Sequence, residues 1–460
     1  MRQYFFESEK DGMPFSRDTR ALVYQRAKMV LDKRPFGTQE DVYRDGYEWM
    51  HHSMAPKPPR AVEQFRVTIG GPDCTKPYSA SVFNISAMSF GALSPNAVRA
   101  LNTGAKKGGF AHDTGEGGVS PYHRENGGDI IWEIGSGYFG CRNRDGSFNP
   151  EEFARVASDD QIKMVELKIS QGAKPGHGGV LPAAKVSEEI SKIRGVADGR
   201  GLHFAGHHRA FSTPLEMMAF IAEMRRAVRR QARRVQAVHR PSLGISGDLQ
   251  GDAGRPGSIP ISSWSTAMKA APARAPLEFM DHLGMPMREG VNFVHNALIG
   301  INARDRIRIG AAGKIATAFD MARAMAIGAD WCNSARGFMF ALGCIQSLSC
   351  HTDRCPTGVT TQDPLARPRA GGAAQGRARL QLPSRHPARA VANCLPPPGS
   401  NIRSNCGRST SRSDPPRPKS LTFAKLYPSL RPGELIDGTS DPRFRDAWAM
   451  ARADSFQPAG

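Results

Sequence analysis

The 460-residue chain predicts an α/β fold, a (β/α)8 TIM-type barrel, on three observations. From residue 80 onward, strand-like runs, glycine-rich turns and helical runs alternate for roughly 290 residues, as in parallel sheets. Residues suited to chemistry fall at the C-terminal ends of the strand-like runs, where barrels place their active sites. No GxGxxG follows the first strand, which disfavours a dinucleotide-binding Rossmann unit.

The elements follow in order. Residues 1–70 read as a helical extension, with Leu22, Val23, Ala27, Val30 and Leu31 at helical spacing within Thr19 to Leu31. Pro56 to Pro59 marks a boundary. Residues 71–365 form the barrel. Ser81 to Met88 reads as a strand, and Ser94 caps a helix beginning at Pro95. Phe110 to Asp113 and Ile162 to Ser170 are further strands, ending in Thr114-Gly115-Glu116-Gly117-Gly118 and Gln171-Gly172-Ala173-Lys174-Pro175-Gly176. Asp305 to Gly310 is another, with a helix from Lys314, and Trp331 to Ser334 is the last. Residues 366–419 read as disordered, and 420–460 as an irregular C-terminal segment.

Composition excludes several classes. No apolar run is long enough to span a bilayer, and Met1 to Phe5 lacks a signal-peptide core, so a cytoplasmic location is expected. Eight cysteines in a chain this long are no secreted disulfide framework. The formal net charge is +19, which invites a nucleic-acid partner. Its distribution argues otherwise. Residues 225–275 hold 10 Lys/Arg against 2 acids, residues 366–420 hold 11 against 1, and the remainder is nearly neutral. Trp264 is the only aromatic residue in either patch, so stacking platforms for bases are absent and no nucleic acid is expected.

Both patches have the composition of GC-rich DNA translated out of frame. Ser265 to Ala273, reverse-translated and read from its third base, gives Asp-Gly-Asn-Glu-Gly-Gly-Thr-Gly. Pro260 to Trp264 in that frame gives Asp-Phe-Ile-Val-Val, a buried strand ahead of a phosphate-type loop. Gln231 to Leu243, Gln375 to Pro387 and Asp198 to Gly206 also yield ordered-looking text when shifted. Segments 197–206, 227–274 and 366–419 are therefore read as frame-disrupted, with barrel strands lost from the second.

Cys344, Cys350 and Cys355, closed by Pro356, are the strongest local signal. Three thiols spaced x5 then x4 favour a metal or iron–sulfur centre. Closed zinc sites take four ligands, and His351 directly follows Cys350. Cys74, Cys141 and Cys332 read as structural. Gly310 to Lys314 and Ser334 to Gly337 follow consecutive late strands, where barrels bind phosphate, and together with the thiols they point to a flavin. Glu116, Lys174 and Arg194 are candidates for an acidic-substrate pocket, since Lys and Arg match a dicarboxylate. His177, His207 and His208 are candidate acid/base groups but read rather as helix-cap or surface residues.

Ala87-Met88-Ser89-Phe90-Gly91-Ala92-Leu93-Ser94, the Gly115 and Gly172 loops above, and Cys350-His351-Thr352-Asp353-Arg354-Cys355-Pro356-Thr357-Gly358-Val359 closely resemble the FMN-binding synthase domain of glutamate synthase, in its stand-alone form. The resemblance covers roughly three quarters of the chain and implies a barrel with FMN at its C-terminal face and a [3Fe-4S] cluster held by Cys344, Cys350 and Cys355 in segment 344–358. It implies that 2-oxoglutarate and ammonia give 2-iminoglutarate, which a hydride from reduced FMN converts to L-glutamate. Glu116, Lys174 and Arg194 match positions that hold 2-oxoglutarate; Met88, Ser89, Lys168 and Gln171 match the flavin environment; Gly313 and Arg336 lie in the matching late loops. Val180 stands where large members carry a substrate-binding Gln, which opens the alternative of an N-substituted glutamate such as N-methylglutamate. Arg2 follows Met1 where an amidotransferase would need Cys, so ammonia comes free or from a glutaminase partner. The resemblance also implies an electron-donor partner, ferredoxin or an NAD(P)H reductase, and is compatible with a homo-oligomer. A further alternative is an inactive frame-disrupted product that retains little FMN.

Overall fold

The computed structural model describes residues 14–28, 30–51, 65–70, 74, 76–169, 178–196, 201–203, 205–229, 235–238, 262–266, 277–364, 406–411 and 418–457. Its strands in chain order are β1 Glu48–Met50, β2 Arg66–Ile69, β3 Tyr78–Ser81, β4 Phe83–Ile85, β5 His112–Asp113, β6 Ile130–Ile134, β7 Ile162–Lys168, β8 Val180–Leu181, β9 Leu202–His203, β10 Val235–Val238, β11 Ser262–Thr266, β12 Arg308–Ala312, β13 Trp331–Ser334, β14 Cys406–Ser411 and β15 Pro418–Thr422. Strands β4, β5, β6, β7, β10, β11, β12 and β13 close a parallel barrel in that order, with β13 returning to β4. Among the described residues helices lie between successive barrel strands, as the sequence predicts, except between β10 and β11.

The closure corrects one expectation. The lost strands would leave open edges, yet Val235–Val238 pairs with both β7 and β11, and Ser262–Thr266 pairs with β12. Both strands lie inside the 227–274 segment. Strand pairing is a backbone interaction, so an unfavourable composition still permits it where neighbours on both sides offer ladders. The shifted-frame loop at 269–273 lies outside the described residues.

Alternation along the strands separates two environments. On β7, Val165 and Leu167 pack outward against Met217, Ile221 and Met224 of the helix Pro214–Arg229. Met164, Glu166 and Lys168 alternate with them and face inward. Met164 joins Ile131, Ala111 and Trp331 in an apolar floor, with Ile69, Tyr78 and Ala80 of the β2–β3 hairpin. These residues sit near the N-terminal ends of their strands, so the hairpin plugs that end of the barrel. Gly310 is required here: a Cβ would lie 2.5 Å from the Trp331 indole.

Local signals behave as read at Ser94, whose Oγ accepts from Ala97 N at 3.2 Å ahead of the helix Pro95–Gly108. The first helix is shorter than its periodicity predicts. It runs Arg17–Ala27, and Leu31 is 87% exposed beyond it. The helix expected from Lys314 is Ala318–Ala326, where Thr317 and Asp320 form a reciprocal capping box. Within the segment expected to be disordered, Cys406–Ser411 pairs with β1 and β15. The C-terminal segment is likewise ordered into short helices, Phe423–Leu426, Glu434–Asp437 and Arg445–Met450. Among the described residues no helix is long and apolar enough to cross a membrane.

Candidate active site

The C-terminal mouth of the barrel gathers much of the predicted site. The loop after β4 carries Met88 and Ser89, and the loop after β5 carries Glu116. Gly115 has φ +60, and a Cβ there would stand 2.7 Å from Ser89 N, so the two loops touch because glycine is present. Gly135, after β6, backs the Glu116 carboxylate: its Cβ would fall 2.5 Å from Oε1. Lys168 ends β7 and places Nζ 3.5 Å from Glu116 Oε2 and 3.4 Å from Glu133 Oε1. Arg194 ends the helix Glu188–Arg194. It is buried, donates from Nη2 to Phe90 O at 3.0 Å, and lies 5.1 Å over the Phe139 ring. Its Nε has no hydrogen-bond partner, an uncommon state for a buried guanidinium. Lys174 and Gln171 lie outside the described residues.

Beneath Lys168 lies a set the sequence reading missed. One ligand atom each from Asp113, Glu133 and Glu166 lie within 4.8 Å of one another, all buried. Glu133 and Glu166 are register partners on β6 and β7. Burial holds the Asp113 and Glu166 carboxyls well above the ordinary range, and each is pushed further up by neighbouring carboxylates. Glu133 is raised by burial too, against the pull of Lys168. Burial opposes the Lys168 charge, but the surrounding carboxylates outweigh it and raise its pKa. One ammonium thus pairs with Glu133 at the edge of this three-acid set and with Glu116 above it. The signal was present: Glu166 and Lys168 stand at i and i+2 with Met164 on one face of the strand, while Val165 and Leu167 alternate with them, so both face the interior.

His208 corrects its surface reading. It is buried, with Nε2 donating to Lys168 O at 2.8 Å and Nδ1 accepting from Tyr138 OH at 3.1 Å. Burial lowers its pKa to about 4, so the ring is neutral and fixes the end of β7 near neutral pH. Asn333 on β13 is buried, and neither amide atom has a partner.

Gly313 follows β12, and Arg336 opens the helix Arg336–Ala341 after β13, on the side of the thiol segment. Arg336 is exposed and stands 5.1 Å over the Phe15 ring. None of Cys344, Cys350 and Cys355 is in a disulfide. They are close enough to influence one another's charge, yet their sulfurs do not converge within 4.8 Å. A single ion with metal–sulfur bonds of about 2.3 Å needs closer convergence; a multi-iron centre spreads its ligands wider. Hydroxyl and amide donors from Thr357 and Thr360 outweigh burial and lower the Cys355 pKa. Lys185, 3% exposed, donates to Cys350 O at 2.7 Å, Thr360 O at 2.5 Å and Ala92 O at 3.4 Å, tying this segment to the loop after β4.

Fold and site define a barrel protein with a charged mouth beside a three-thiol loop. The conserved region in glutamate synthase matches residues 67–377, and the chain belongs to that family. The glutamate synthase large subunit-like protein YerD of Bacillus subtilis is 34% identical over 405 residues, 79% of this chain and 76% of that protein. The glutamate synthase [NADPH] large chain of the same organism is 31% identical over 293 residues, 62% of this chain and 18% of that one. The archaeal glutamate synthase [NADPH] of Methanocaldococcus jannaschii is 32% identical over 284 residues, 61% of this chain and 52% of that one.

Proposed function

We propose that the chain is an FMN-dependent glutamate synthase-type oxidoreductase that reductively aminates 2-oxoglutarate to L-glutamate. The observation that carries this reading is Arg194: a buried guanidinium with an unpartnered Nε, beside Gly117 and close enough to Glu116 to interact with its charge. A carboxylate acceptor satisfies that donor. Lys174, six residues beyond Lys168 in the sequence, would supply the second cation for a dicarboxylate.

The mouth also fits a flavin. Met88 and Ser89 flank it, Gln171 and Lys168 would hold polar edges of the ring, and the unpartnered Asn333 amide offers a donor and an acceptor. The Gly313 and Arg336 loops would take the phosphate. FMN, when bound, supplies the hydride. The chain's own residues orient the substrate carboxylates, hold Lys168 protonated, and place the Glu116 carboxylate to accept hydrogen bonds from the incoming amine. Cys344, Cys350 and Cys355 would hold a [3Fe-4S] cluster that relays electrons. The spread of the thiols and the buried Lys185 beside them support that assignment. Ammonia, a glutaminase and a ferredoxin or NAD(P)H reductase are the implied partners.

A second reading rests on Val180. This half-buried aliphatic residue on β8 offers no hydrogen bond where an amide is expected, which favours a more apolar amine and an N-substituted glutamate. Purified protein separates the two readings. Turnover with 2-oxoglutarate and ammonium supports the first; turnover with methylamine alone overturns it in favour of the second. Arg194→Met is expected to raise KM for 2-oxoglutarate at least tenfold, and an unchanged KM would remove Arg194 from the substrate site.

A further inference from the structure

The N-terminal helix Arg17–Ala27 lies outside the matched family region, which begins at residue 67. It nevertheless grips the backbone at the first thiol residue. Tyr24 OH donates to Cys344 O at 2.5 Å, and Arg20 Nη1 donates to Ile345 O at 3.4 Å. The next residue, Gln346, donates from Nε2 to Phe15 O at 3.3 Å. Three consecutive loop residues are therefore tied to one short segment. Apolar contacts back the grip: Phe15 and Tyr24 meet the Phe340 ring edge-on at 5.2 and 6.2 Å.

The loop needs such support. Gln346 and Leu348 are non-glycine residues with φ +57 and +59, a conformation that persists only where surroundings over-determine it. Arg20 is fully buried beside this loop, and its positive charge favours negative charge at the thiols. Three thiolates around iron and sulfide carry that charge.

We propose that the Phe15–Ala27 segment is a clasp for the thiol centre. Tyr24 and Arg20 are positioning residues that hold the Cys344 backbone in ligating geometry, and Arg20 adds positive charge beside an anionic cluster. The charge part rests on the iron–sulfur reading above; the clasp part does not.

The test uses the full chain, purified anaerobically, with Tyr24→Phe, Arg20→Met and Arg20→Lys. Two readouts are taken: hydrogen exchange of residues 343–350, and the rate at which a chelator removes iron. Loss of one neutral hydrogen bond is expected to speed exchange about fivefold in Tyr24→Phe, and loss of the charged one about tenfold or more in Arg20→Met. Iron loss should accelerate in the same order, with Arg20→Lys partly restoring retention and exchange of 162–168 unchanged. Exchange at 343–350 within twofold of wild type in both Tyr24→Phe and Arg20→Met would overturn the clasp. Faster exchange with unchanged iron loss would overturn the charge role alone. Wild-type protein that binds no iron would instead refute the iron–sulfur reading, while exchange still decides the clasp. If Arg20→Met does not fold, Tyr24→Phe, which removes one hydroxyl, still decides it.

Discussion

Replacing Lys168 with Met tests the electrostatics of the barrel mouth. Lys168 stands 3.4 Å from Glu133, which is 2% exposed. At an effective dielectric of about 20, that separation corresponds to roughly 5 kcal/mol of attraction. The Lys168 side chain keeps 23% of its exposure, and screening reduces the expected loss to about 3 kcal/mol, the lower end for a broken buried pair. The loss is predicted to depend on pH. Burial already holds Glu133 above the ordinary range, and Lys168 is its main counterweight. Without Lys168 the folded-state pKa rises further. A carboxyl raised on folding stabilises fully below its unfolded value near 4, and that stability is lost as pH rises through the folded value. Urea denaturation of Lys168→Met should therefore show a loss of about 3 kcal/mol at pH 8 and under about 1 kcal/mol at pH 5. Adding Glu133→Gln should recover most of the loss at pH 8. An equal loss at both pH values, or no recovery in the double variant, would refute this account.

Three further outcomes follow from the same geometry. Glu166→Gln removes one of the three buried acids at nearly constant volume, so the decline in stability between pH 5 and 8 should be shallower than in the wild type; an identical slope contradicts the raised pKa. Gly135→Ala brings a Cβ within 2.5 Å of Glu116 Oε1, which should displace that carboxylate, cost about 1–3 kcal/mol and raise KM for 2-oxoglutarate; unaltered kinetics would place Glu116 outside the substrate site. Cys355→Ser should abolish iron retention while leaving the melting temperature within a few degrees, and full iron content would exclude Cys355 as a ligand.

Much of this architecture is legible in the sequence, and the exceptions have physical causes. Ser94-Pro95 announces a helix start because the cap is local, and Trp331 to Ser334 is a strand in both readings. Ile130–Ile134 escaped notice because a short apolar run flanked by glycine carries no distinguishing period. Glu116 and Arg194 were marked by their charge, but their convergence with Ser89 depends on glycine contacts between loops distant in sequence. The carboxyl set of Asp113, Glu133 and Glu166 draws on three strands, so only barrel closure brings it together. Val235–Val238 and Ser262–Thr266 became strands despite the composition of residues 225–275, because β7 and β12 present unpaired edges on either side of them. The helix Arg17–Ala27 was predicted, whereas its hold on Cys344 spans some 320 residues and has no local signature.

The central claim is reductive amination at this barrel mouth, and an anaerobic single-turnover measurement tests it most directly. Protein reconstituted with FMN and reduced chemically would be mixed with 2-oxoglutarate and ammonium, following flavin reoxidation and amino-acid product together. The account predicts one L-glutamate per flavin reoxidised, with no reoxidation when either substrate is omitted. Flavin that stays reduced in the presence of both substrates, or reoxidises without forming glutamate, would contradict it.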